Sequence, residues 1–428
     1  MAYVSARFEL YKRLMQVLER PVTIRRLSSA TGLLRCLDLP YMATLSCPKS
    51  KSNERGWFHA SSVGELEVLW PVVEKWALAK SQREVVLTIF SASAERAVKR
   101  LSDDLIAKGV TVSFCGFSPW EGNWQTSIRT LRPDFLVTAK YEAWPELWSA
   151  LRRENVPLFI IGATVRKSLS VVRSVCRILG EELPKLVLLP ADDSSVPDLE
   201  ASFPSASVFP CGEPRWDRVQ ARSADGNSRA RELVEYVASA PRPWGIFGSA
   251  WEEDIMFWGR TLGASAGTVW IVPHKVDSEH VRKISELLKS AGLEPVRTSA
   301  LTQELALNGK SGICLLVDEM GFLLELYSKA DWAFVGGGYG KGVHSTIEPA
   351  LHGIPIGIGP KGSGQFPEIR ELQRTGQLKV LEDREALSVW AGDLTTFPHP
   401  SVELWKSQAQ ARLGATEKVI RILESFGP

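Results

Sequence analysis

Two glutamates follow predicted strands in the first half of the chain and could take part in acid–base chemistry. Glu65 lies at the predicted start of a helix, shortly after an apolar run that ends at Ala60. The helix dipole keeps a carboxylate at this place ionised, which suits a general base that removes a proton from a hydroxyl group. Glu142 lies between another predicted strand and a helix that starts near Pro145. Either acid alone could cap its helix, but two acids on neighbouring strands of one sheet resemble an active site.

A glycine-rich turn in the second half of the chain is a candidate phosphate-binding site. The predicted strand Trp332 to Val335 is followed by three glycines and by a predicted helix start near Ser345. Glycine lets a ligand approach the main chain, and a helix N-terminus attracts anions. His344 and Glu348 are four residues apart, so one helical face would carry both, and the pair could hold a phosphate and a ribose. The alternative is an ordinary capped helix after a strand, because lone glycine motifs are weak signals.

These candidate site loops must be positioned by parallel sheets. The hydrophobic pattern of the sequence predicts two such sheets. Short apolar runs alternate with helical stretches from residue 56 onward, which favours parallel sheets wrapped by helices. The predicted strands are Gly56 to Ala60, Val85 to Phe90, Val110 to Phe114, Phe135 to Thr138, Leu158 to Ile161, Leu186 to Leu189, Trp244 to Gly248, Val269 to Val272, Ile313 to Val317, Trp332 to Val335 and Ile356 to Ile358. The pattern changes around residues 218–243, where we place the connection between two α/β halves. Ligands bind beyond the carboxyl ends of parallel strands, so we expect two Rossmann-like domains facing a cleft, the glycosyltransferase B (GT-B) fold.

Composition and charge agree with a soluble two-domain protein. The 428 residues are 44% hydrophobic and 23% charged, which suits globular domains. A formal net charge of +2 gives no electrostatic reason to expect nucleic acid binding. The six cysteines lack the spacing of metal ligands and are expected to be reduced thiols. No apolar run is long enough for a transmembrane helix.

The first 55 residues differ from the rest in charge. They carry a net charge of +6 and include a predicted basic amphipathic helix over residues 3–20. Its apolar face consists of Phe8, Tyr11, Leu14, Met15 and Leu18. Such a helix can lie on an anionic membrane surface, and it can equally pack on its own domain. We therefore divide the chain into residues 1–55 as a basic N-terminal segment and two Rossmann-like domains, 56–220 and 221–428.

Five motifs occur together in an order and spacing that identify a family. They are Ser62-Val63-Gly64-Glu65, Glu142-Ala143-Trp144-Pro145, Val272-Pro273-His274-Lys275, Asp318-Glu319-Met320-Gly321, and Gly336-Gly337 followed by the segment from Gly342 to Ala350. In this respect the chain resembles the Kdo transferases over about residues 56–380. These bacterial enzymes move 3-deoxy-D-manno-oct-2-ulosonic acid (Kdo) from CMP-Kdo onto a lipid A precursor.

The resemblance implies that residues 56–220 form an acceptor domain and residues 221–428 a donor domain, and it implies a role for each matching residue. Glu65 would accept the proton of the lipid hydroxyl, Glu142 would stabilise the transition state, and Arg215 would replace a basic residue of the family. The residues implied in binding the CMP-Kdo donor are Pro273, His274, Met320, Gly321, Phe322, Gly337, His344, Ser345, Thr346, Ile347 and Glu348. Direct displacement with one base would invert the anomeric centre. We expect no metal and no cofactor besides the donor substrate, because the sequence lacks a metal-binding acidic cluster.

Several positions depart from the family pattern. The usual Pro-Arg-His is Pro273-His274-Lys275, the usual Gly-Glu-Leu is Gly321-Phe322-Leu323, and the His-Asn pair is His344-Ser345. Two alternatives therefore stay open, a GT-B glycosyltransferase with another nucleotide sugar and a non-catalytic paralogue that binds nucleotide or lipid.

The expected partners are CMP-Kdo, a lipid A precursor and the cytoplasmic face of the inner membrane, with peripheral attachment.

Overall fold

The structure, a computed structural model, describes residues 10, 11, 13, 53–119, 123–140, 143–165, 167–263, 267–301, 313–364, 366–394 and 398–426. The described chain divides into two compact units, with breaks between Arg218 and Val219 and between Leu413 and Gly414. The predicted N-terminal helix lies, for the most part, outside the described residues.

The first unit is built on a parallel seven-stranded sheet with the order β3-β2-β1-β4-β5-β6-β7. Its strands are β1 Glu54–Ala60, β2 Arg83–Ile89, β3 Thr111–Phe117, β4 Phe135–Ala139, β5 Leu158–Ile161, β6 Leu186–Leu189 and β7 Ser207–Val208. Its helices are α1 Val63–Leu78, α2 Glu95–Ala107, α3 Trp124–Leu131, α4 Pro145–Arg153, α5 Lys167–Leu179, α6 Val196–Ser202 and α7 Arg215–Asp225, which continues into the second unit. The inner strands are buried on both faces because helices cover both sides of the sheet, which explains their continuous apolar runs.

The second unit repeats this architecture with the strand order β10-β11-β9-β8-β12-β13-β14. Its strands are β8 Trp244–Ala250, β9 Thr268–Pro273, β10 Pro295–Arg297, β11 Ile313–Leu316, β12 Trp332–Val335, β13 Ile356–Ile358 and β14 Leu378–Val380. Its helices are α8 Ser228–Tyr236, α9 Glu252–Trp258, α10 Arg260–Gly263, α11 Ser278–Ser290, α12 Leu323–Tyr327, α13 Ile347–Leu351, α14 Pro367–Arg374, α15 Arg384–Asp393 and α16 Val402–Ala411. The prediction of two Rossmann-like α/β domains is confirmed.

Each sheet has one point where the strand order reverses. In the first sheet it lies between β1 and β4, and in the second it lies between β8 and β12. Loops that leave neighbouring strands diverge at such a switch point and open a crevice for ligands beyond the strand ends. Glu65 follows β1, in the first turn of α1, and Glu142 follows β4 in the sequence. Because β1 pairs with β4, the prediction that the two acids follow neighbouring strands of one sheet is confirmed.

The predicted limit of the donor domain at residue 428 was wrong. The last helix, α17 Ala415–Phe426, belongs to the first unit, where Val419, Ile420 and Leu423 are buried in the core. Asp217 fixes its start, because its carboxylate accepts hydrogen bonds from the backbone N–H groups of Gly414 (2.6 Å) and Thr416 (2.6 Å). The break between the units also lies at Arg218 rather than at residue 220.

Arg55, which is counted in the +6 charge of the basic N-terminal segment, is not a surface residue. It lies in β1, is 1% exposed, and donates from Nε to the carboxylate of Glu84 over 2.8 Å. Its charge is therefore neutralised inside the first unit.

Candidate active site

Glu65 lies where the sequence places it, in the first turn of α1. Ser62 precedes the helix in an extended conformation (φ −144°, ψ 167°), and the helix starts at Val63. Glu65 is 8% exposed and is the acidic residue of that first turn. A largely buried carboxylate at a helix N-terminus, beyond the strand end at a switch point, is suitably placed for a general base.

Glu142 lies outside the described residues, so its role stays a prediction. The chain that flanks it is described. β4 ends at Ala139, Lys140 adopts a left-handed conformation (φ 63°), and Trp144 contacts Phe90 with ring centroids 5.2 Å apart. This loop therefore follows β4 at the same switch point as Glu65.

Arg215 is paired with an acid that the sequence interpretation had not singled out. Its Nη2 atom lies 3.1 Å from Oε2 of Glu213, and Arg215 itself is 9% exposed. Burial alone would raise the pKa of Glu213, but the charge and hydrogen bonds of Arg215, together with the charge of Lys140, hold that pKa below its usual value. The predicted basic residue is thus part of a buried, charge-compensated group.

Three aromatic rings form a stack at the switch point of the second sheet. His274, which follows β9, stacks on His344 (centroids 4.3 Å apart, 19° between planes) and on Trp251 (4.7 Å, 23°). Trp251 follows β8, and its indole Nε1 donates a hydrogen bond to Nε2 of His344 over 3.0 Å. The structure thus brings together two predicted donor-site residues and adds Trp251.

The sequence interpretation missed Trp251 because a lone tryptophan beside a strand is more often a core residue. A signal was available, however. Trp251 follows the first strand of the second half, and in a doubly wound sheet that strand borders the switch point. The two lysines Lys275 and Lys341 also lie near this ring, with Nζ 5.7 Å and 6.0 Å from its centroid.

Asp254 links the tryptophan to the glycine-rich turn. Its Oδ2 atom accepts hydrogen bonds from the backbone N–H groups of Trp251 (2.9 Å) and Gly337 (2.8 Å). The carboxylate is fully buried, and burial raises its pKa to about 6 against these hydrogen bonds. The carboxylate of Asp254 therefore connects the loop after β8 to the loop after β12.

Internal packing already accounts for the glycines of the turn. A Cβ atom at Gly336 would lie 2.4 Å from the carbonyl oxygen of Ser249, and one at Gly338 would lie 2.6 Å from Cα of Gly359. Gly337 has φ +91°, a conformation that favours glycine. Close approach of protein backbone, rather than of a ligand, therefore explains why these positions are glycine.

The predicted helical pairing of His344 with Glu348 was wrong. The helix α13 starts at Ile347, so His344 lies in the preceding loop and the spacing of four does not place the two residues on one face. Glu348 instead lies 3.7 Å from Nη1 of Arg222. The local sequence predicts that a helix follows the glycine-rich turn, but it does not fix the first residue of that helix. The chain from Gly342 to Thr346 forms no regular secondary structure, so no periodic pattern marks where the helix begins.

The other predicted donor residues differ in exposure. Met320 is 74% exposed and Ser345 is exposed, so both side chains are open to a ligand. The buried members are Pro273, Phe322, Thr346 and Ile347. At those positions any contact with the donor would involve backbone atoms or need a local rearrangement, and Gly321, with φ +102°, supplies only backbone.

Comparison with known proteins relates this geometry to a family. A family model for 3-deoxy-D-manno-octulosonic-acid transferase (kdotransferase) matches residues 40–195. The 3-deoxy-D-manno-octulosonic acid transferase of Bordetella pertussis is 27% identical over 387 residues, which are 86% of this chain and 87% of that protein. The enzyme of the same name from Chlamydia muridarum is 25% identical over 344 residues, 77% of this chain and 76% of the other. The chain is similar to the Kdo transferases over most of its length.

Solved structures agree with the GT-B fold of this chain. UDP-GlcNAc 2-epimerase from Neisseria meningitidis has a TM-score of 0.55 at 12% identity and covers 87% of this chain and 99% of its own. A glycosyltransferase from Rickettsia africae has a TM-score of 0.53 at 11% identity and covers 87% of this chain and 98% of its own. At such identities the likeness establishes the fold alone.

Two further observations concern the described part of this Kdo transferase homologue. Within it, no cluster of three or more histidine, cysteine or acidic residues could hold a metal ion. None of its helices, as far as the chain is described, combines the length and apolar character needed to cross a bilayer.

Replacing Asp254 with Asn is expected to change the pH dependence of stability. Because folding raises the pKa of Asp254 from about 3.8 to about 6, its stabilising contribution is present at low pH and is lost as the pH rises through 6. The wild type should therefore lose about 2 kcal/mol of unfolding free energy relative to Asp254→Asn between about pH 4 and pH 7. Urea unfolding at several pH values measures the difference, and a pH-independent gap between the two proteins would contradict the prediction.

Proposed function

We propose that this Kdo glycosyltransferase uses CMP-Kdo as donor and a hydroxyl group of a lipid A precursor as acceptor. The observation that carries the proposal is the placement of the motif residues. Glu65 lies at the switch point of the first sheet, and His344 with His274 lies at that of the second. The resemblance to the Kdo transferases supports acceptor chemistry in the first unit and donor binding in the second as parts of this proposal.

The proposed reaction is a single displacement. Glu65 takes the proton from the acceptor hydroxyl, whose oxygen forms a bond to the anomeric carbon of Kdo. The bond between that carbon and the phosphate oxygen breaks, and CMP leaves with the electron pair. One displacement at one carbon inverts its configuration, and no covalent enzyme intermediate is needed. The leaving phosphate is anionic, and we propose that Lys275 and Lys341 balance its charge without a metal ion.

A direct assay tests the proposed substrates. The purified chain is incubated with CMP-Kdo and a tetraacylated lipid A precursor, and the lipid product is analysed by mass spectrometry. The expected result is a mass increase of one or more Kdo residues, unchanged by EDTA. Transfer only from another nucleotide sugar would replace the donor, and binding of CMP without any transfer would favour the non-catalytic alternative.

A lipid acceptor requires access to a membrane surface, and helix α5 offers a suitable face. Val171 is 57% exposed and Ile178 is 69% exposed, one on each side of the partly exposed Val175. The helix contains no acidic residue, and Arg177 is exposed beside this stripe. An outward apolar stripe with basic neighbours complements an anionic lipid surface. We propose that α5 contributes to peripheral attachment at the cytoplasmic face of the inner membrane.

The double variant Val171→Asp/Ile178→Asp is expected to lower binding to phosphatidylglycerol vesicles by roughly tenfold or more, because two aliphatic side chains can no longer enter the interface. Vesicle co-sedimentation measures the effect. The matched control is Val389→Asp/Leu404→Asp in the second unit, where the two side chains are 59% and 58% exposed. Equal losses in both double variants would contradict a specific role of α5.

A further inference from the structure

The hydrogen bond between Trp251 and His344 restricts the protonation of the histidine. The two rings are almost coplanar, with 9° between their planes and 6.4 Å between centroids, so they meet edge to edge. An indole N–H can only donate, so Nε2 of His344 must be the acceptor. In a neutral imidazole with an unprotonated Nε2, the proton resides on Nδ1.

The same ring is held on a second edge. A Cβ atom added to Gly337 would lie 3.2 Å from Cδ2 of His344, so the glycine turn packs against that edge. Asp254 fixes both neighbours of the ring, because one carboxylate oxygen binds the backbone of Gly337 and that of Trp251. In the described chain no hydrogen bond to Nδ1 is present, and His344 is half-buried.

We propose that Trp251 is a positioning residue that fixes His344 as the Nδ1–H tautomer and thereby provides a neutral hydrogen-bond donor for an anionic group of the nucleotide sugar. The proposal rests on the proposed function for its ligand, but the tautomer follows from the geometry alone. It also gives Trp251, which no motif singled out, a defined role in the donor site.

The surroundings of the ring favour the neutral form. Burial, followed by the charge of His274, lowers the pKa of His344 to about 4. His274 itself has a lowered pKa, because it is partly buried and lies near Lys275 and His280. Lys275 and Lys341, which lie near the Trp251 ring, can supply positive charge to an anionic ligand, while the neutral His344 can supply a directional hydrogen bond.

Nitrogen NMR of the full-length protein labelled with [15N]histidine tests the tautomer. The chain contains only six histidines, and the spectrum of His344→Gln assigns the signal of His344. The expected result at pH 7 is a protonated Nδ1 and an unprotonated Nε2. An Nε2–H tautomer in the wild-type protein would overturn the proposal.

Trp251→Phe removes the indole N–H but keeps an aromatic ring for the stack. We expect a shift of His344 toward the Nε2–H tautomer and a 2–10-fold weaker affinity for CMP-Kdo by calorimetry, the range for one lost hydrogen bond. The matched control is Trp258→Phe at the last residue of α9, the helix that Trp251 precedes, and this variant should change neither the His344 signal nor affinity.

The outcomes separate the proposal from the function on which it rests. An unchanged His344 tautomer in a folded Trp251→Phe variant would overturn the positioning role. Failure of the wild type to bind CMP or CMP-Kdo, with the expected tautomer, would overturn the ligand assignment and the proposed donor, while the tautomer assignment would stand.

Discussion

Replacing Glu65 with Gln is expected to lower the rate of Kdo transfer by roughly 10²–10⁴-fold, the usual contribution of a general base. Glutamine keeps the size and polarity of the side chain, and it removes the carboxylate that we propose accepts the proton. Because Glu65 lies in the first unit, binding of CMP-Kdo by the second unit should be unchanged. Single-turnover kinetics and calorimetry of donor binding measure the two effects separately.

The control for this variant lies on the same helix. Glu74 of α1 is partly exposed and pairs with Lys108 on the surface, so Glu74→Gln should keep at least half of the wild-type rate. A Glu65→Gln enzyme with wild-type turnover would remove Glu65 from the mechanism. A parallel loss of activity in both variants would point to a helix effect rather than to proton transfer.

The largest expected effect on stability comes from Arg55→Met. Arg55 is 1% exposed and donates to the carboxylate of Glu84 and, over 2.6 Å, to the carbonyl oxygen of Leu131. Burial alone would raise the pKa of Glu84, but hydrogen bonds from Arg55, Asn53 and Ser113 hold it below its usual value. Without the guanidinium, a buried carboxylate would lose its counter-charge, and the free energy of unfolding should fall by about 3–5 kcal/mol. Denaturant unfolding at pH 7 measures the loss.

Two further variants define the cause of that loss. Arg55→Met/Glu84→Gln leaves no unpaired charge and should recover much of the lost stability. Arg282→Met breaks the ion pair between Arg282 and Glu286, whose side chains are 58% and 60% exposed. The free energy of unfolding should fall by less than about 1 kcal/mol. A single Arg55→Met variant as stable as Arg282→Met would show that the buried pair contributes little.

The alternation of apolar runs and helices predicts the central strands well, because those runs are buried on both faces. The strands it missed, β7, β10 and β14, are two or three residues long and lie toward the sheet edges, so their hydrophobic signal is weak. Strand order is a different matter. It is set by long-range pairing, so the loop after β8 can be placed at a switch point only if a doubly wound order is assumed for the second half. The sequence interpretation did not apply that assumption to β8, and Trp251 went unnoticed.

Local patterns also cannot show where a helix packs. The segment 415–426 is clearly helical from its sequence, and its assignment to the donor domain failed because its apolar face fits the first sheet. In the same way, Arg55 counts as a surface charge until the structure pairs it with Glu84. Glu65 could be placed from sequence because a strand end followed by a helix start is a local feature.

Placement of α17 in the first unit has a consequence for synthesis on the ribosome. Residues 1–218 leave the exit tunnel long before residues 415–426, so the nascent first unit cannot complete its core until α17 has been synthesised. Until then the sites of Val419, Ile420 and Leu423 are vacant in its core, and Asp217 lacks the two N–H groups that it binds. The second unit carries its whole sheet within one continuous segment and can complete its fold earlier. During synthesis, therefore, the first unit completes its fold after the second unit, although its residues are made first.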